Sequence, residues 1–265
     1  MTDFFLLKLL LAFVVGSSIV TLSTVAAEKF GSKVGGFIGG LPSTVAITLF
    51  FIGFVQTPQL ASEATNIIPL VVGFNGLFLV TYAVLARRGF AMGFVGALSV
   101  WFFLSFLAVI LDVQSFWFSF SVFLILLIGS YSFLEKKLRL RSGGKVEVRI
   151  TPSQIAFRAL FSGSIVTAGV YLSKVGGIIW GGILSPFPAV FISTLVITWK
   201  SRGVEFSRMI TKPLLISGMV NTVVFAAAAR YFYLLSGLVL GTILAYAISG
   251  ISAYGTYVFI KAKMT

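Results

Sequence analysis

The chain has no cysteine and no histidine, and only 7 acidic residues among 265. These absences exclude disulfides, thiolate nucleophiles, haem ligation by histidine and histidine-based zinc sites. They also leave little material for a carboxylate metal site. No catalytic residue, metal ligand or cofactor is assigned, and the expectation is a protein that is not an enzyme. Charge is scarce as well, at 10% of residues, and polar stretches are short. What fills the chain is apolar: 58% of residues are hydrophobic and the mean hydropathy is +1.07. Runs of about 20 apolar residues recur from end to end, which is the length that crosses a hydrocarbon layer as a helix. The runs are continuous rather than alternating, which argues against a membrane β-barrel. The fold class expected is an all-α polytopic membrane protein.

The formal net charge is +13. In an apolar chain such an excess marks cytoplasmic loops and contacts to anionic lipid headgroups. The lipid bilayer is the expected surrounding, and nucleic acid is not an expected partner.

One stretch occurs twice. The first copy is Ser32-Lys33-Val34-Gly35-Gly36-Phe37-Ile38-Gly39-Gly40-Leu41-Pro42-Ser43; the second is Ser173-Lys174-Val175-Gly176-Gly177-Ile178-Ile179-Trp180-Gly181-Gly182-Ile183-Leu184-Ser185-Pro186-Phe187-Pro188. Glycine costs a helix about 1 kcal/mol against alanine, and interior proline about 3 kcal/mol. Membrane segments accept both where helices approach closely or where a broken helix lines a cavity. Other features also recur. Ser18-Ile19-Val20-Thr21 has its counterpart in Ser164-Ile165-Val166-Thr167, Pro69 in Pro213, and Asn75 in Asn221.

Nine spans are expected, over about residues 4–27, 35–55, 64–86, 90–111, 115–134, 154–172, 176–199, 209–232 and 234–260. The first is read as a retained span rather than a signal peptide, since Asp3 stands where a basic cluster would. A basic aqueous loop, 135–153, follows the fifth. The domains expected are a four-helix repeat over 1–112, a linking helix and loop over 113–153, and a second repeat over 154–265. One span between two four-span units forces the second copy to enter from the opposite face, an inverted repeat. This arrangement sends every basic residue to one face except Lys8, Lys174 and Arg230. The positive-inside rule then puts the N-terminus outside and the C-terminus in the cytoplasm of a cell (plasma) membrane.

Candidate pathway residues follow from the repeat. Gly35, Gly36, Gly39, Gly40 and Pro42, with Gly176, Gly177, Gly181, Gly182, Pro186 and Pro188, either line a passage at mid-depth or permit close helix packing. Lys33 and Lys174 stand at opposite mouths, to meet an anionic solute or to snorkel to headgroups. Asn75 and Asn221 are amides deep in apolar spans, facing solute or bonding between helices. Pro69 and Pro213 are expected to kink their spans.

The stretch from Gly181 to Phe191, reading Gly-Gly-Ile-Leu-Ser-Pro-Phe-Pro-Ala-Val-Phe, resembles the GlpM-like family of small four-span bacterial membrane proteins. The resemblance implies a four-helix membrane fold and no particular chemistry. A fused pair of inverted four-span units is also similar in plan to the drug/metabolite transporter superfamily. The function expected is transport of a small polar or anionic solute by alternating access between the repeats. An ion channel, or a lipid-binding scaffold or accessory subunit, is the alternative, and a homo-oligomer stays open.

Overall fold

The computed structural model describes residues 2–29, 41–140 and 151–263. The first glycine motif up to Gly40, with Lys33, Gly35, Gly36 and Gly39, lies outside the described residues. Every element among the described residues is helical. In chain order they are α1 (Thr2–Lys29), α2 (Ser43–Val55), α3 (Pro58–Ala64), α4 (Ile68–Leu85), α5 (Phe90–Ile110), α6 (Phe116–Ser132), α7 (Pro152–Val175), α8 (Ile178–Leu184), α9 (Ala189–Met209), α10 (Thr211–Leu214) and α11 (Val220–Lys263).

Side-chain caps open three of these helices. Thr57 caps α3 by accepting the Leu60 N–H, with Pro58 in the first turn. Ser115 caps α6 through the Phe118 N–H. Thr151 and Gln154 form a reciprocal capping box at α7, with Pro152 at its first position. Helix reversals fall on glycines with positive φ: Gly89 (130°), Gly177 (100°), Gly203 (82°) and Gly237 (73°). At Gly237 the long final helix folds back into two antiparallel arms. Tyr233 meets Thr242, Phe225 packs on Tyr246, and Asn221 bonds Ser252.

Seven helical segments among the described residues are long and apolar enough to cross a membrane, and the last of them contains this hairpin. Apolar side chains such as Phe103, Phe106, Ile125 and Ile251 lie exposed on the outside of the bundle. An exposed apolar surface on helices of this length and hydropathy is the kind that faces lipid. The chain is therefore a multi-pass membrane protein. α4 sits at the centre and is mostly buried, whereas most of α6 is exposed. The phenylalanine-rich α6 is accordingly a peripheral, lipid-facing span.

α1 packs on α7 along its length. Phe5 stacks on Tyr171, Gly163 abuts the Phe13 carbonyl, and Ser17 donates to the Ala159 carbonyl. As one number rises the other falls, so the two helices are antiparallel. The contact is also reciprocal. Phe13 and Ala159 are as far apart in the chain as Ser17 and Gly163. Those two residues meet each other at the crossing point.

Charged residues sort to two ends. At one, Arg208 donates to the Ala83 carbonyl (2.8 Å), Lys212 pairs with Glu135 (2.6 Å) and Trp199 stacks on Phe90. Arg87, Arg88, Lys136 and Lys137 lie in the same layer. At the other, Lys8 donates to the Phe54 carbonyl, Gln56 to Ser173, and Arg230 to Asn66. Pro69 stands in the first turn of α4 rather than at a kink. Pro213 precedes a π-helical turn, Leu215–Met219, which restores backbone pairing after the missing N–H.

Candidate functional site

The second glycine–proline stretch breaks a helix inside the protein. α8 ends at Leu184, the chain turns through Ser185, Pro186, Phe187 and Pro188, and α9 begins at Ala189. At Pro188 (φ −73°, ψ 38°) the Ala189 N–H bonds back to the Phe187 carbonyl at 2.7 Å. Pro42 repeats this ahead of α2, with φ −80°, ψ 58°, and Ser43 N–H to Leu41 carbonyl at 2.9 Å. Both are inverse γ-turns, centred on prolines whose φ is already set. Neither α2 nor α9 has a side-chain cap.

The two turns meet. Residues 41–45 and 186–188, with Val190, Phe191, Asn75, Gly218 and Thr222, line a cavity of about 50 Å³. α2 runs from it toward the Lys8 end of the bundle, and α9 runs from it toward the basic end. At about 1.5 Å per residue, each arm puts roughly 20 Å between the cavity and its face. The cavity therefore lies about midway between the two charged ends of the bundle, with two helix N-termini head to head across it.

Asn75 fastens this centre. Its amide N–H donates to the Pro186 carbonyl at 2.8 Å, and its oxygen accepts the Trp101 indole N–H at 2.7 Å. Trp101 in turn packs edge-on against Phe187. Asn75 thus ties α4, α5 and the second proline turn together. Asn221 bonds within the α11 hairpin, taking hydrogen bonds from Ser252 (2.8 Å) and Thr256 and donating to Thr256 (3.2 Å). Asn75 borders the cavity; Asn221 is fully buried beside Thr222, which borders it.

The glycines of the second copy divide by role. A Cβ on Gly181 would stand 2.6 Å from that of Ser173, and one on Gly182 would stand 2.5 Å from the Ala64 carbonyl oxygen. Gly176 is crowded by Trp180. These three serve close packing, and none borders the cavity between the proline turns. Of the two roles open to Gly176, Gly181 and Gly182, lining or close packing, their surroundings fit close packing. Gly177 borders a second cavity, of about 310 Å³, beside Glu63, Asn66, Asp112 and Gln114. Lys174 lies 4.1 Å above the Phe5 ring, at the same end of the bundle. Along α8 the order is therefore vestibule at Gly177, sealed contact at Gly182, and cavity at Pro186.

Sequence reasoning missed Thr44, Trp101, Gly218 and Arg158. The half-buried Arg158 donates to Ser193 (2.9 Å) and Thr194 in the second turn of α9. In the sequence it is one more residue of the basic face; only the packing of α7 on α9 reveals its partners. Gly218 lies in the π turn against Phe191, in a segment whose one warning was Pro213.

Residues 9–115, less than half of the chain, match the model of a family described as protein of unknown function (DUF3147). The match falls on the first half, whereas the resemblance read from the sequence rests on residues 181–191. No curated protein and no solved structure matches the chain.

Proposed function

We propose that the chain is an integral membrane transporter that moves a small polar or anionic solute by alternating access between two inverted repeats. The observation that carries this reading is the cavity midway along the bundle, walled by equivalent proline turns from the two halves. Broken helices that meet at the midplane are the form such sites take in carriers built from inverted repeats. The nine spans are built on α1, α2, α4, α5, α6, α7, the broken α8–α9 pair and the two arms around Gly237.

Three further observations support the inverted repeat. Pro42 and Pro188, Asn75 and Asn221, and Ser17 and Gly163 are all separated by the same interval. The reciprocal α1–α7 contact is what a two-fold relation requires. Its antiparallel sense fits an axis in the membrane plane rather than along the normal. The family match, ending at residue 115, spans the first four-helix unit and stops before α6. The basic end supports a cytoplasmic C-terminus in the plasma membrane, with the 310 Å³ vestibule outside and the Gly182 contact as a closed outer seal.

The test is flux into proteoliposomes containing the full chain, against a panel of small anions and neutral polar solutes. Saturable, slow uptake of one of them is the expected result. Single-channel currents would instead indicate a channel, and uptake no different from empty vesicles for every solute would remove the transport reading.

A further inference from the structure

The chemistry of the cavity between the proline turns is one-sided. The backbone carbonyls of residues 41, 42 and 186–188, which border the cavity, each already accept a hydrogen bond. Those of Leu41 and Phe187 accept from Ser43 and Ala189, and those of Pro42 and Pro188 from Ala46 and Ile192. Pro186 accepts from Asn75, whose own oxygen is taken by Trp101. The donors are treated differently. The first intrahelical bonds are made by Ala46 and Ile192, so the N–H groups of Thr44, Val45, Val190 and Phe191 have no acceptor within their helices. All four residues border the cavity.

A separate observation comes from a side chain. Thr44 is more than nine-tenths buried and borders the cavity, and its hydroxyl has no hydrogen-bond partner among the described residues. Among the described residues no acidic side chain lines the space, and the Arg158 guanidinium is held one turn further along α9, on Ser193, whose hydroxyl donates to the Val190 carbonyl.

We infer that this cavity is a binding site for a small inorganic anion of about halide or nitrate size. Two opposed helix N-termini supply positive potential and free N–H donors, and the Thr44 hydroxyl supplies one more. A bound water needs about 10–15 Å³. The space of about 50 Å³ therefore admits an ion of few atoms, with a water or two, and excludes an organic anion as large as gluconate. The inference rests on the transport reading only for the cavity's place on a pathway.

The test is calorimetric titration of the purified full chain with sodium bromide, sodium gluconate and choline bromide at constant ionic strength. Saturable binding with both bromide salts and none with gluconate is expected. Thr44→Val should weaken bromide binding roughly tenfold or more, the loss of a hydrogen bond to a charged group, and Thr44→Ser should retain it. Heat that follows sodium rather than bromide, or equal binding by Thr44→Val and the unaltered chain, would overturn the assignment. Bromide flux in proteoliposomes separates the two proposals. Thr44-dependent binding without movement of any solute removes the transport reading and leaves the anion site standing. Transport of a solute without bromide binding removes the anion site and leaves the transport reading.

Discussion

Asn75 shows how much one side chain holds in an apolar interior. Its amide satisfies the carbonyl that Pro186 leaves exposed at the helix break and fixes the Trp101 ring that packs on Phe187. Asn75→Leu strands both partners. Each unsatisfied buried group costs about 1–3 kcal/mol, so the variant is expected to lose roughly 2–6 kcal/mol in a denaturant titration of detergent-solubilised protein, as well as solute flux. From the sequence, this substitution and its counterpart at Asn221 are expected to spare assembly. The bonds from Ser252 and Thr256 revise that for Asn221 too. At the basic end, Lys212 is buried while its partner Glu135 is half exposed. Glu135→Gln leaves a buried ammonium with a weaker partner, whereas Lys212→Met removes the charge altogether. The first is expected to lower the unfolding temperature more than the second; the reverse order would mean that the pair is solvated.

Among elements, the helix breaks and the glycine contacts decide the architecture. α8 approaches the α3–α4 connection so closely that Gly182 has no room for a side chain. Gly182→Ala should destabilise by about 1–3 kcal/mol through overpacking. Gly255, in the outer arm of α11, has open space around it. Gly255→Ala should be neutral or stabilising by up to about 1 kcal/mol. Equal effects at the two positions, measured by thermal unfolding, would show that the Gly182 contact is not tight. Both prolines that open α2 and α9 were visible in the sequence as breaks. That they form matching γ-turns facing each other was not visible, because a turn's partner is set by how α2 and α9 are brought together.

For the whole molecule, the absence of cysteine makes topology directly measurable. Single cysteines at Glu63, Lys174 and Arg230 are expected to react with an impermeant maleimide added outside intact cells. Cysteines at Arg87, Lys137, Lys200 and Lys261 should react only after the membrane is opened. Labelling of both groups from one side would break the inverted arrangement, and with it the equivalence of the two proline turns.

The amino-acid sequence alone determines that this is a helical membrane protein, which end is basic, and where helices break. Those properties follow from transfer of apolar side chains into lipid, from charge placement and from proline geometry, all of which act locally along the chain. Only the tertiary structure decides which glycines pack and which border a cavity, and which polar groups are already paired. Gly177 and Gly182 lie in one motif yet differ in role, and Asn75 finds its partner in Pro186, far away in the chain. Hydrogen-bond satisfaction depends on neighbours in space. The donors left over at Thr44, Val45, Val190 and Phe191 therefore emerge only once both proline turns stand face to face.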